Sequence, residues 1–162
     1  MPDTRKNLEM VAALLHEQST VSLATTGENG EPCLAPVFYI ADEALNLHWL
    51  SSESSLHSQN LSRRAEAAAA IYRPTEDWKH ICGVQLRGDV STLTDPDRRD
   101  AIIREYCERF EIGAILRPAI RWSSLYCLRP RFFRYIDNAR GFGYKFELAR
   151  EAEGWSLARS SE

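Results

Sequence analysis

The spacing of hydrophobic residues changes along the chain from a helical period to a strand period. Leu8, Val11, Leu14 and Leu15 recur at intervals of three or four residues, which is typical of a helix with one buried face. Leu45, Leu47 and Trp49 instead alternate with polar residues, which is the period of a strand. The predicted helices are 4–18, 54–64 and a third that begins at 95–97, and the predicted strands are 21–25, 31–40, 45–50, 67–72, 79–93, 125–135 and 142–148.

Single residues suggest where these elements begin, bend or break. Thr4 is expected to cap the first helix. Pro32 and Pro36 are expected to interrupt the strand that contains them, and Gly83 or Gly88 to bend the long strand over 79–93. These features shape individual elements without changing the predicted class of the fold.

The predicted elements form one α+β unit over 1–150. We expect a small antiparallel split β-barrel, Greek-key-like, with six or seven strands and about three flanking helices. The segment 111–124 fits no element well and is expected to be a loop with one helical turn. Residues 151–162 are expected to form a polar tail that frays, with Trp155 as the one residue that could dock.

Composition and charge exclude several classes of protein. The chain has 162 residues and a formal net charge of −3, which argues against a general nucleic-acid-binding protein. No apolar run approaches the roughly 20 residues of a membrane span, and the first residues lack the apolar core of a signal peptide. The four cysteines are scattered without a CxxC pair, and the histidines show no ligand spacing. We therefore expect a cytoplasmic protein with reduced thiols, no metal site, and neither nucleic acid nor membrane as a partner.

A cluster of hydroxyl side chains follows the strand over 45–50. Ser51, Ser52, Ser55 and His57 lie where that strand meets the start of a helix. Free backbone N–H groups and hydroxyls at a helix N-terminus can hold a phosphate. On sequence alone, the same serines are about as well explained as a plain helix cap.

The order of these features resembles the FMN-binding split barrels, the superfamily of pyridoxamine 5'-phosphate oxidase. The resemblance rests on the strand with Phe38 and Tyr39, the serine cluster, Trp78 and the run 83–88. It implies an FMN-binding, oxidoreductase-like homodimer with cofactor sites at the subunit interface and a small-molecule substrate that is not assigned. Whether the protein is catalytic stays open.

In the oxidases a Ser-Arg-Lys run holds the FMN phosphate, and here Ser55, Leu56 and His57 stand in its place. The resemblance therefore implies phosphate binding by serine hydroxyls and a protonated His57, weaker than in the oxidases. Arg63 or Arg64 is expected to assist from the same helix. The resemblance also implies that six residues contact the flavin ring: Pro36, Val37, Phe38, Tyr39, Trp78 and Gln85. Of these, Gln85 lies two residues from the position of the oxidase glutamine.

Other ligands remain open at this stage. Related barrels use deazaflavin in place of FMN, and some bind or degrade haem, for which His48, His57 or His80 could be the axial ligand. The alternative from another class is a non-catalytic module that binds or stores a flavin or haem, or holds no cofactor at all. The segment 111–122 is the candidate for reaching across to a partner subunit.

Overall fold

Residues 3–160 are described by the computed structural model, and within them the chain forms four α-helices and nine strands. The helices are α1 (Thr4–Glu17), α2 (Leu56–Arg63), α3 (Pro96–Arg109) and α4 (Arg117–Arg121). The strands are β1 (Thr20–Thr26), β2 (Pro32–Phe38), β3 (Ile40–Ala41), β4 (Leu47–Ser51), β5 (Glu66–Tyr72), β6 (Cys82–Thr92), β7 (Ser124–Asp137), β8 (Lys145–Glu151) and β9 (Gly154–Ser160).

All nine strands belong to one antiparallel sheet that curls into a half-barrel. Its order is β2-β1-β5-β6-β7-β4-β3, and β8 and β9 extend it from β7. The long strand β7 pairs with β6 on one side, while its first half pairs with β4 and its second half with β8 on the other. The predicted α+β split barrel is confirmed, with nine strands rather than six or seven because a two-residue strand and a C-terminal strand were not anticipated.

The sheet bends at Gly88, as the sequence suggested. The register between β6 and β7 shifts between Arg87 and Gly88, which is a β-bulge. A Cβ atom at Gly88 would collide with the carbonyl group of Arg129 on the neighbouring strand. Only glycine therefore allows the two backbones to approach this closely.

Helix α1 covers one opening of the curled sheet. Its apolar face buries Val11, Leu14 and Leu15 in the main core. Asp3, and not Thr4, caps the helix, because the Asp3 carboxylate accepts the amide N–H of Arg5. The cap therefore lies one residue before the predicted position.

Strand β2 runs through both of its prolines. The prediction that Pro32 and Pro36 interrupt it is wrong, because β2 is the first strand in the hydrogen-bonded order and an edge strand tolerates missing N–H groups. The interruption falls at Tyr39, between β2 and β3. The Tyr39 side chain turns into the core, where its hydroxyl donates to the carbonyl of Leu15 at 2.7 Å.

The chain after Arg150 does not fray over 154–160. It forms β9, which pairs with β8, and Trp155 packs on Phe133 with ring centroids 4.7 Å apart. The predicted tail is therefore wrong for these residues, because the apolar alternation of β9 is limited to Trp155 and Leu157. Residues 161–162 of that tail lie outside the described residues.

The segment between α3 and β7 contains α4 and a short 3-10 turn over Ala114–Leu116, which confirms one helical turn within a loop. It exposes large apolar side chains, with Ile115 92% and Trp122 86% exposed. No helix within residues 3–160 is long and apolar enough to cross a bilayer.

The bulge gives a direct test of the bend. Replacing Gly88 by alanine should lower the free energy of unfolding by about 1–3 kcal/mol, because the added Cβ must push β6 away from β7. Gly113 is the matched control, since a Cβ there meets no atom within 4 Å. Chemical denaturation of both variants measures the difference, and equal stabilities would contradict the close approach at Gly88.

Candidate functional site

A hydroxyl and imidazole network forms where β4 meets α2. The Nε2 atom of His57 lies 2.7 Å from the Ser51 Oγ and 3.1 Å from the Ser55 Oγ, and the two hydroxyls are 3.2 Å apart. Ser51 is the last residue of β4, and Ser55 is the N-cap of α2. The junction between strand and helix therefore brings these three side chains together, as the sequence predicted for them.

Ser58 extends the network and was not predicted. The Ser55 hydroxyl donates to the Ser58 Oγ at 2.8 Å, and the Ser58 amide donates to the Ser55 Oγ at 3.3 Å. The Ser58 side chain also lines an open cleft of about 440 Å³. Its position three residues after the cap is the spacing that could have identified it. The hydroxyls of Ser51, Ser55 and Ser58 with His57 are called the hydroxyl network below.

Ser52 lies outside the hydroxyl network. Its Oγ contacts the Ser54 Oγ at 2.7 Å and accepts the Ser54 amide, and both side chains are exposed. Glu53 lines the same cleft as Ser58, and its carboxylate accepts the Ser124 hydroxyl at 2.7 Å, which holds the loop against β7. Ser52 is thus a nearby serine with a separate role.

The surroundings of His57 disfavour its protonated form. Burial lowers the pKa of its imidazole from the ordinary value, and no acidic side chain among its described contacts opposes this effect. The two arginines expected to assist lie at the other end of α2, roughly 10 Å along the helix axis. Arg63 pairs with Glu28, and Arg64 lines a different cleft. The site therefore offers hydroxyls, N–H groups and an imidazole with a lowered pKa, and the protonation of His57 beside a phosphate stays a prediction.

The residues proposed for the flavin ring divide between two places. On β2, Pro36 and Phe38 are exposed and Val37 is half-buried, whereas the side chain of Tyr39 is fully buried. Gln85 is exposed on β6, three strands away in the sheet order and therefore roughly 14 Å from β2. One copy of the chain does not bring these two sets together.

Trp78 stands apart from both sets. It is exposed in a 3-10 turn, and its ring meets that of Phe142 edge to face, with centroids 5.6 Å apart. The Asn138 side chain holds this turn by donating to the carbonyl of Trp78 at 2.7 Å. The described residues bring no group of three or more His, Cys, Asp or Glu side chains into position to hold a metal ion.

A partly buried ion pair joins His48 on β4 to Asp42. His48 is fully buried, although the alternating period of its strand normally leaves one face to solvent. Its Nε2–H donates to the Asp42 carboxylate at 2.9 Å. Ile40, Leu125 and Cys127 are buried as well and, like His48, lie outside the main core cluster. Helix α3 is attached nearby, since Tyr106 donates to the carbonyl of Phe38 and Arg99 to that of Ser123.

The environment of the pair favours the charged form of both groups. Burial alone would lower the pKa of His48, but the Asp42 carboxylate that accepts its Nε2–H, together with the adjacent Cys127, outweighs burial and raises the pKa to about 9. Burial alone would raise the pKa of Asp42, but hydrogen bonds from His48 and Asn46 lower it to about 2. The pair is therefore a salt bridge at neutral pH, and His48 has a structural role.

Comparisons with known proteins agree with the fold. The sequence profile described as pyridoxamine 5'-phosphate oxidase matches residues 8–135. A UPF0306 protein of Klebsiella pneumoniae is 27% identical over 146 residues, which cover 90% of this chain and 95% of that protein. The solved structure of a pyridoxamine 5'-phosphate oxidase-related, FMN binding protein from Nostoc punctiforme matches with a TM-score of 0.70 at 14% identity, covering 98% of this chain and 95% of that one. A heme binding protein from Mycobacterium smegmatis matches with a TM-score of 0.67 at 16% identity, covering 100% and 91%.

The buried pair predicts a specific pH dependence of stability. The folded-state pKa of His48 lies above its ordinary value, so its contribution is complete below about pH 6.5 and is lost as the pH rises through about 9. The free energy of unfolding should fall by on the order of 2–3 kcal/mol between about pH 6.5 and about pH 10. Urea denaturation across this range measures it.

Two variants identify the group responsible. Asp42→Asn should remove the decline, because burial then keeps His48 neutral throughout this range. Replacing the exposed His16 by glutamine should leave the decline unchanged. A wild-type decline that survives in Asp42→Asn would assign it to other groups.

Proposed function

This chain belongs to the pyridoxamine 5'-phosphate oxidase family, and from that premise we propose that it binds FMN as a homodimer and acts as an oxidoreductase. The observation that carries the proposal is the hydroxyl network at the N-terminus of α2. The Nostoc punctiforme relative of the same fold is an FMN binding protein, which supports the choice of ligand.

The hydroxyl network fits a phosphate monoester in its donors and in its position. Ser51, Ser55 and Ser58 supply hydroxyls, and the first turn of α2 supplies amide N–H groups that helix geometry leaves without partners. The helix dipole adds a favourable partial positive charge at the same point. A phosphate that replaced the internal hydrogen bonds of the network would satisfy all of these groups at once.

The charge of the site sets a limit on affinity. The hydroxyl network contains no arginine or lysine, and His57 is neutral before a ligand arrives. A phosphate beside the imidazole would raise the pKa of His57, so binding would take up a proton. We therefore expect FMN to bind more weakly than at a site built from two cationic side chains.

Contacts to the flavin ring require a second subunit. The exposed face of β2 and the exposed Gln85 on β6 lie too far apart in one chain to contact the same ring. In a two-fold dimer each ring would lie between β2 of one subunit and the partner's outer sheet face. The apolar residues left exposed at 34, 38, 115 and 122 support such an interface.

The flavin would supply the capacity to accept and return an electron pair, and the protein would bind and orient it. The hydroxyl network would fix the phosphate end, and the backbone of β2 would orient the ring. His57 is occupied by Ser51 and Ser55, so it acts in binding. The substrate is then a small molecule that reaches the ring from the subunit interface.

Haem binding by a non-catalytic module is the alternative, supported by the fold shared with the Mycobacterium smegmatis heme binding protein. The structure removes one axial ligand from consideration, because His48 is fully buried and paired with Asp42. His57 is hydrogen-bonded to serines, and His80 lies at the surface with Asp77 3.0 Å away. The histidines therefore support haem less well than the hydroxyl network supports a phosphate.

The hydroxyl network predicts a clear difference between neighbouring serines. The double variant Ser55→Ala, His57→Ala should weaken FMN binding by on the order of 2–4 kcal/mol, because hydrogen bonds to a charged acceptor are lost. Ser52→Ala is the matched control and should bind FMN as the wild type does, since among the described residues the Ser52 hydroxyl is hydrogen-bonded only to Ser54. Titration monitored by flavin fluorescence measures both.

The same protein samples test whether the ligand is FMN or haem. Addition of haem to the wild-type protein should give no saturable Soret band if FMN is the ligand. Equal FMN affinity in the double variant, or a tight haem complex without FMN binding, would contradict the proposal.

Assembly is tested by light scattering at low micromolar concentration. We expect a stable species of twice the chain mass, with an interface on the order of 2,000 Å² or more. Ile115→Ser should shift it towards single chains if the segment 111–122 contacts the partner, because Ile115 is 92% exposed in one subunit. A wild-type protein that stays a single chain would contradict both the dimer and the shared site.

A further inference from the structure

The outer face of β5, β6 and β7 carries a groove that lies apart from the hydroxyl network. Two clefts, of about 340 and 360 Å³, share Ala68 and Arg87 and so run into each other. The first reaches the turn between β1 and β2, and the second reaches β9. We call this continuous surface the arginine groove; its charged lining residues are Arg64, Glu66, Arg87, Arg131, Arg134, Glu147 and Arg159.

The arginine groove is positive although the chain is not. Five arginines and two glutamates line it, an excess of three positive charges on a chain whose formal net charge is −3. Arg131 is paired with Glu66 at 2.7 Å, and Arg134 with Glu147 at 2.6 Å. The excess therefore lies on the other three arginines.

These three arginines have no ion pair within residues 3–160: Arg64, Arg87 and Arg159. Arg64 lies in the first cleft, Arg159 in the second, and Arg87 where the clefts join. Arg131 also lies 3.4 Å from Asp89, so its charge is doubly compensated. The unpaired charges are thus distributed along the whole length of the groove.

The Arg87 side chain is positioned to hold an anionic group. Its guanidinium stacks on the ring of Phe132, 4.4 Å from the centroid, which holds the planar group in place. The stacking leaves the N–H groups on the edge of the guanidinium free to donate. Because the guanidinium is planar and held in place, two of its N–H groups can donate to two oxygen atoms of one phosphate or carboxylate. Gln85 on the same strand adds an amide that can donate or accept beside it.

We propose that the arginine groove binds a small organic anion with a phosphate monoester or carboxylate group held by Arg87. The length of the groove and the unpaired Arg64 and Arg159 on either side favour a ligand with a second anionic group. The groove and the hydroxyl network share no lining residue, whereas Gln85 lines the groove and is also proposed to contact the flavin ring, so the proposal is tested on the protein without flavin.

The test uses the full-length protein without flavin. Thermal unfolding is followed while inorganic phosphate, pyrophosphate or succinate is added at constant ionic strength. We expect a saturable rise in the unfolding temperature with at least one of the three probes. The probe that binds most tightly distinguishes a phosphate ester from a carboxylate as the natural group.

Variants locate the site. Arg87→Met keeps the stem packed on Phe132 and should weaken binding at least about tenfold, because charge-assisted hydrogen bonds are removed. Arg87→Lys should weaken it less, since the charge stays while the planar fork is lost. Arg104→Met is the matched control: Arg104 is exposed on α3, outside the groove, and should change nothing.

Two results would overturn the proposal. One is the absence of saturable binding for all three probes, and the other is an equal loss in Arg87→Met and Arg104→Met, which would indicate an unspecific charge effect. Because flavin is absent from these measurements, the outcome is independent of whether the hydroxyl network binds FMN.

Discussion

The close approach of Gly88 to the carbonyl of Arg129 determines how the sheet curls. At this point the pairing of β6 and β7 shifts by a residue, and β7 continues beyond it far enough to hold β4 on one half and β8 on the other. The position of β4 fixes Ser51, and the turn that follows fixes the start of α2. The hydroxyl network thus depends on a contact between backbones on another part of the sheet.

Most elements could be predicted because their periods are local properties. The apolar spacing in α1, and Ile71 and Tyr72 before Pro74 in β5, each identify an element without knowledge of its neighbours. Strand β9 could not be found in this way, because only Trp155 and Leu157 carry its apolar alternation, and the strand is held by pairing with β8 and by Trp155 on Phe133. The course of β2 through two prolines likewise depended on its place at the edge of the sheet.

The candidate site was predicted in part for the same reason. Ser51, Ser55 and His57 lie within seven residues of one another, so a strand followed by a helix is enough to bring them together. The charge state of His57 was not predictable, because it depends on how deeply the folded chain buries the ring. The burial of His48 was not predictable either, because the alternating period of β4 does not reveal that the folded chain covers this face of the strand.

The edge formed by β2 also bears on how copies of this protein can associate. Pro32 and Pro36 have no N–H, so this edge cannot offer a continuous row of donors to an incoming strand. Growth by adding strand after strand, the route to open-ended fibrils, is therefore blocked on this side. The neighbouring side chains of Leu34 and Phe38 remain exposed and can still join two copies through their surfaces. The prolines thus favour closed assemblies of defined size over polymers.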